Sequence, residues 1–174
     1  MRLFIAINFP TEFRSEISAI RDNLKAESWS GNFSYDDNLH LTLVFLGECD
    51  IQQVDAIKSI MNDTKFSQFS LTIEEINFFK RHGGNTWWVG LQENKTLSDL
   101  QVELTKRLRF RGFSMENRKF SPHVTIGREV KVGYGFVQPE VKKASCVIKS
   151  MELMKSEHID GKLTYTPVYQ AEAV

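Results

Sequence analysis

The chain carries one short pattern twice, His40-Leu41-Thr42-Leu43 and His123-Val124-Thr125-Ile126. In an extended strand, successive side chains point to opposite faces. Each copy therefore sets its His and Thr on one face and its aliphatic residues on the other. Two imidazoles and two hydroxyls lining one cleft suit phosphate chemistry without a metal: one imidazole takes a proton, the other gives one, and the hydroxyls hold phosphoryl oxygens. Opening a cyclic phosphate requires water to attack phosphorus in line with the departing ribose oxygen, so a base and an acid must stand on opposite sides of it. Histidines titrating near ~6.5 supply one neutral and one protonated ring around neutrality, which predicts a bell-shaped dependence of rate on pH. Thr42 and Thr125 would donate to the equatorial oxygens, where charge develops in the transition state. The sequence leaves open which histidine is the base.

Arg128 stands five residues after His123 and would supply positive charge to a phosphate. Strict alternation turns it away from the His-Thr face, so Gly127 must mark a bulge or a strand end that re-aims it. Phe45 holds the same offset after His40 and is the matching surface for a nucleobase. Taken singly, each residue has a bland reading. A lone His beside aliphatic residues is most often structural, Thr is an ordinary strand former, Arg128 would be a solvated strand end, and Phe45 a core residue. The pairing lifts the two histidines above that background.

Competing chemistries find less support. Zinc usually needs a third ligand, and neither motif carries a Cys or carboxylate. Gly83-Gly84 lacks the Lys-Ser/Thr and helix of a nucleotide-triphosphate loop, so ATP is not implied. His82 and His158 read as exposed turn residues. Lys80-Arg81-His82, with Arg107, Arg109, Arg111, Arg118 and Lys119, offers a local basic surface, and Trp87 or Trp88 a stacking platform for RNA. The plainer alternative is a solvated helix end and core aromatics.

Around these residues the chain must build their support. Its 174 residues, 41% hydrophobic, fit one domain with a proper core. Lys plus Arg and Asp plus Glu both number 22, so no global field attracts a polyanion. Cys49 and Cys146 show neither metal-ligand spacing nor a disulfide framework, which favours a reducing interior, with the cytoplasm expected, or plain apolar filling. The apolar run Leu3–Ile7 is too short for a signal peptide and reads as a buried strand. No stretch approaches the ~18 to 20 apolar residues of a membrane span. A monomer is expected.

Phe13, Ile17, Ile20 and Leu24 predict a helix over residues 11–26, with loop from Gly31 to Asp37. Leu39 to Leu46 reads as a buried strand. Asp50 with Gln53 forms a capping box that opens a second helix through Val54, Ile57 and Met61. A hairpin follows, with strands around Leu71–Ile76 and Trp87–Leu91 and a polar turn over 80–85. Leu97, Leu100, Leu104 and Leu108 mark a third helix ended by Gly112. The second motif strand begins after Pro122, and two strands near Ser145–Leu153 and Leu163–Tyr169 close the chain.

The layout nearly repeats itself, since 36 positions separate Phe4 from His40 and Trp87 from His123. Such a duplication, over about 2–47 and 85–128, would pack as two lobes about a pseudo-twofold axis within a single domain of residues 1–174 and bring the motif strands face to face.

These residues resemble a known family. Arg2-Leu3-Phe4-Ile5-Ala6-Ile7, His40 through Gly47, Phe120-Ser121-Pro122-His123 through Arg128, and Ser156-Glu157 look like the two-histidine phosphoesterases, closest to the RNA 2′,3′-cyclic phosphodiesterase branch historically called 2′-5′ RNA ligases. The resemblance implies a bilobal α+β fold, mostly antiparallel, with His40 and His123 on central strands facing a shared cleft. It implies no cofactor. The implied substrate is RNA or oligonucleotide ends bearing a 2′,3′-cyclic phosphate, tRNA fragments among them, opened to a monoester with the 2′-phosphate favoured. The reverse joining of a 5′-hydroxyl through a 2′-5′ linkage would use the same residues. Alternatives are a binding module for RNA ends or nucleotides without turnover, and a phosphodiesterase for a small cyclic phosphate such as that of an ADP-ribose derivative. The segment before the first motif lacks the family's usual proline, and Val44 and Gly127 also depart from common choices. These departures touch loops that select substrate and leave the histidine pair intact.

Overall fold

A computed structural model describes residues 1–174. The element order is β1 (Arg2–Ile7), α1 (Thr11–Ala26), β2 (Ser28–Phe33), a 3-10 turn (Asp36–Asn38), β3 (Leu41–Glu48), α2 (Ile51–Asp63), β4 (Phe69–Phe79), β5 (Asn85–Leu91), α3 (Lys95–Phe110), β6 (His123–Val132), β7 (Ser145–Ile148), β8 (Ser150–Ile159) and β9 (Lys162–Glu172). The strands form two antiparallel sheets, in the orders β3-β1-β8-β9 and β2-β6-β5-β4-β7. This is the α+β class expected, with one motif in each sheet. No helix is long and apolar enough to cross a membrane.

The helices form where the 3.6-residue spacing of apolar side chains places them. Phe13, Ile17, Ile20 and Leu24 are the buried stripe of α1, and Leu97, Leu100, Leu104 and Leu108 that of α3. The capping box at α2 is reciprocal: Asp50 Oδ1 accepts from the Gln53 N–H at 2.8 Å, and Gln53 Oε1 accepts from the Asp50 N–H at 2.9 Å. Past the end of α3, Gly112 takes φ +92°, a conformation glycine adopts without the penalty a Cβ would impose.

Three expectations need correction. The loop foreseen from Gly31 to Asp37 begins inside a strand, because β2 pairs with β6 through Asn32↔Arg128 and Phe33↔Gly127. Its sequence, SWSGNF, has no apolar alternation, and the strand exists through its partner. Second, β3 is an edge strand rather than a central one. The chain spends β2 on the other sheet before returning, so β3 has β1 as its only strand partner. Third, the strand read across Ser145–Leu153 is two strands that change sheets at Lys149: β7 pairs with β4, and β8 with β1 and β9.

The helices cross over between the sheets. α1, which follows β1 of the first sheet, packs against β2 and β6 of the second, while α3, which follows β5 of the second, packs against β3 of the first. α2 packs on α3 and β9. One hydrophobic core of 36 buried residues therefore runs beneath both sheets. It backs both motif strands, so the motif side chains stand on a rigid floor.

Candidate active site

His40 immediately precedes β3, and its ring is fixed from both ends. Nδ1 lies 2.7 Å from the Asn38 carbonyl oxygen, which can only accept, so this nitrogen carries the proton in the neutral ring. Nε2 is then the acceptor, at 2.9 Å from the Thr42 hydroxyl. The ring sits between Phe4 (centroids 4.9 Å apart) and Tyr165 (5.0 Å, edge-on). Phe4 is brought there by β1, the neighbour of β3. Tyr165 arrives from β9 through its pairing with Ser156.

His123 opens β6 and is held in the same manner. Its Nδ1 donates to the Ser121 carbonyl at 2.7 Å, which directs Nε2 outward. Two aromatic side chains flank this ring as well, Trp88 of β5 at 5.8 Å and Phe79 of β4 at 5.8 Å. Both histidines thus share a carbonyl two residues upstream as anchor, one tautomer, and an aromatic pair as walls. His40, Thr42, His123 and Thr125 are all half-buried, and β3 touches β6 across the gap between the sheets.

The odd offsets of Phe45 and Arg128 are resolved by one extra residue in each strand. In β6, Thr125 pairs with Trp88 and Gly127 with Trp87, leaving Ile126 as the bulge. Ile126 and Gly127 are both buried, and Arg128 emerges on the side of His123 and Thr125. A Cβ at Gly127 would stand 2.9 Å from Val130 Cγ2 and 3.1 Å from Phe33 Cδ1, so a residue with no side chain fits the bulge best. In β3, Thr42 pairs with Ala6 and Val44 with Ile5, so Leu43 is the extra residue at the equivalent position. Leu43 and Val44 are buried, and Phe45 stands 67% exposed beside Phe4. Carbonyls displaced at these bulges find partners outside the ladder. Gln101 Nε2 of α3 reaches Leu43 O at 3.4 Å, and the Ser34 N–H donates to Ile126 O at 3.0 Å.

Burial foremost, aided by the charges of Arg128 and His123 across the gap, lowers the His40 pKa to about 4, and the Asn38 hydrogen bond only partly opposes them. His40 is therefore neutral at pH 7. Burial likewise raises the Tyr165 pKa, against the pull of Arg128 and Arg2. Arg128 pairs with no carboxylate, its neighbour Glu129 being engaged by Asn32 at 2.8 Å. An unneutralised guanidinium on the same side as two imidazoles and two hydroxyls has the chemistry to hold an anion.

Other candidates fall elsewhere. Trp87 is 2% exposed and belongs to the core; Trp88 alone reaches the cleft. Of the foreseen basic surface, Arg107 pairs with Glu103 and Arg118 with Glu116. His82 and His158 are exposed, as expected, but His158 lies on β8, paired with Leu163, rather than in the turn that follows. No group of three His, Cys, Asp or Glu side chains converges as a metal site. A cavity of about 750 Å³ adjoins the far side of Tyr165, lined by Asn8, Arg14, Asp37 and Glu152 among others, but neither motif histidine reaches it. The flanking aromatics Phe4, Phe79 and Tyr165 went unforeseen. Phe4 alone had a signal, since alternation from Arg2 puts it on the face opposite Leu3 and Ile5.

Residues 7–88 match the family model described as LigT like Phosphoesterase. An RNA 2′,3′-cyclic phosphodiesterase of Thermotoga maritima is 37% identical over 131 residues, covering 74% of this chain and 70% of that protein. The chain belongs to the LigT-like phosphoesterases. A second LigT-like relative, the RNA 2′,3′-cyclic phosphodiesterase of Escherichia coli, is 30% identical over 96% of this chain and 93% of its own. The crystal structure of E. coli LigT complexed with 3′-AMP superposes with a TM-score of 0.87 at 29% identity, covering 99% of this chain and 97% of that one. Two antiparallel sheets with few helices are thus the LigT-like architecture.

Proposed function

We propose that this protein hydrolyses 2′,3′-cyclic phosphate ends of RNA, leaving a 2′-phosphate, with His40 as proton acceptor and His123 as proton donor. The observation that carries the reading is the matched pair of imidazoles, each anchored through Nδ1 to the backbone carbonyl two residues upstream, with the charge of His123 felt at His40. Its setting in a family whose relatives are named for this activity supports the substrate class.

In the proposed step, water attacks phosphorus opposite the ribose O3′. Its proton passes to Nε2 of His40, which burial keeps neutral and available. The P–O3′ bond breaks as His123 gives its Nε2 proton to O3′. Thr42, which holds His40 Nε2 in the free protein, turns its hydroxyl with Thr125 to the equatorial oxygens, and Arg128 balances their charge. Phe45 offers its exposed face to the base. A 5′-hydroxyl of a second RNA in place of the water gives a 2′-5′ linkage by the same proton movements. No cofactor enters these steps. The two unpaired cysteines, Cys49 and Cys146, support a reducing compartment such as the cytoplasm, and we read the working unit as a monomer.

The test compares wild type, His40→Ala and His123→Ala on an oligoribonucleotide with a 2′,3′-cyclic phosphate end, in the presence of chelator, with circular dichroism as a check on folding. Each substitution is expected to lower kcat by about 10²- to 10⁴-fold. Near wild-type turnover in either folded variant overturns paired acid-base catalysis. Loss of wild-type activity to chelator alone brings back a metal, and tight binding with no product makes the protein a binding module.

A further inference from the structure

The aromatic wall beside His123 is extended along the β4–β5 hairpin by a cation. Trp88 and Phe79 each lie 5.8 Å from His123 and 5.3 Å from one another, and the Arg81 guanidinium sits 5.3 Å over the Phe79 ring. Phe79 is 37% exposed at the rim, and Arg81 is exposed at the turn. Arg81 has no carboxylate partner; its Nη1 donates to the Lys80 carbonyl at 2.9 Å. Lys80 is likewise exposed and unpaired. The proposed chemistry uses none of these four residues.

The tip is held in place. Gly84 adopts φ +131°, and a Cβ there would come within 2.5 Å of the Glu129 carbonyl carbon, so the turn lies directly on the backbone that follows Arg128. β6 answers with a second irregularity, Arg128 and Glu129 together facing Thr86 alone, with Glu129 itself at φ +53°. A flexible loop would pay entropy to meet a ligand, whereas this surface is set beforehand.

We infer that the β4–β5 tip is a subsite for a second nucleotide, the one linked 5′ to the cyclic-phosphate end, with Phe79 and Arg81 stacking its base and Arg81 and Lys80 meeting its phosphate. The inference rests on the proposed RNA reading. A group that protonates O3′ stands on the ribose side of the phosphorus, so the chain leaves the cleft along the wall beside His123, and that wall is Trp88, Phe79 and Arg81. Aromatic and guanidinium planes accept any base, so the subsite selects for chain length rather than sequence. The preferred substrate is an oligoribonucleotide rather than a mononucleoside cyclic phosphate.

The experiment measures kcat/KM of wild type and Arg81→Ala on a mononucleoside 2′,3′-cyclic phosphate and on a short oligoribonucleotide with the same end. Alongside it, fluorescence anisotropy follows binding of a labelled oligoribonucleotide 3′-phosphate across a salt series. Arg81→Ala is expected to lower oligonucleotide kcat/KM by about tenfold while leaving the mononucleoside value unchanged, and to reduce the slope of log affinity against log salt by about one. Equal loss on both substrates, or none on either, overturns the subsite. If wild type turns over neither substrate, the hydrolytic reading fails, and anisotropy alone decides: binding equal in wild type and Arg81→Ala rejects the subsite, and weakened binding in the variant supports it.

Discussion

Thr42 Oγ1 donates to His40 Nε2 at 2.9 Å, while Nδ1 of the same ring donates to Asn38. The nitrogen proposed to take a proton from water is therefore held unprotonated by its own motif, in a ring that burial already keeps neutral.

The rate should depend on pH accordingly. A base titrating at about 4 in the free protein puts the acid limb of kcat/KM near that pH, activity falling as pH drops through it. Removing Arg128 takes away a charge that depresses His40, so Arg128→Ala should move the limb to higher pH as well as raise KM. The pH profiles of kcat/KM, with an NMR titration of the His40 ring, check both.

Stability should carry the same signature. A histidine protonates near ~6.5 in the unfolded chain but only near about 4 in the fold. As pH falls between these values the unfolded state binds a proton the folded state refuses, and stability declines. Above the upper value this group contributes no slope, and below the lower one the loss is complete. Thermal melts of wild type and His40→Gln across that window should show the variant flatter.

Thr42→Val and Thr125→Val keep the shape of the strand and remove one donor each. If the hydroxyls serve the transition state, kcat should fall by about 10²- to 10³-fold with a smaller change in KM. Steady-state kinetics of the two variants separate this from loss of ground-state binding, in which KM alone would rise.

Gly84→Ala forces a Cβ against the Glu129 backbone at a φ that side chains rarely adopt. The expected destabilisation is roughly 1–3 kcal/mol. It should come with weaker phosphate binding, because Arg128 adjoins the displaced residue. Urea melts and phosphate titration measure the two effects.

How far the sequence disclosed this site follows from the range of each interaction. α1, α3 and the Asp50 cap are local patterns, and all three stood in the sequence. The bulge beside Gly127 was also visible, since a glycine at a parity conflict has few other uses. Its twin at Leu43 was hidden, because leucine carries no such mark. β2 escaped notice because its hydrogen bonds, not its side chains, define it, with Trp29 77% exposed. Tyr165 and Phe79 escaped for a related reason: each reaches a histidine from a strand distant along the chain, through pairing that no local period encodes.

The exchange of helices beneath the sheets makes the distance between the imidazoles a property of the whole fold. Each motif strand is supported by a helix that comes from the other sheet, α1 under the strand of His123 and α3 under the strand of His40. Denaturant should therefore abolish enzymatic turnover and helical ellipticity at one midpoint, with no partially active species between. Substitutions that loosen α1 or α3 should therefore cost turnover along with stability.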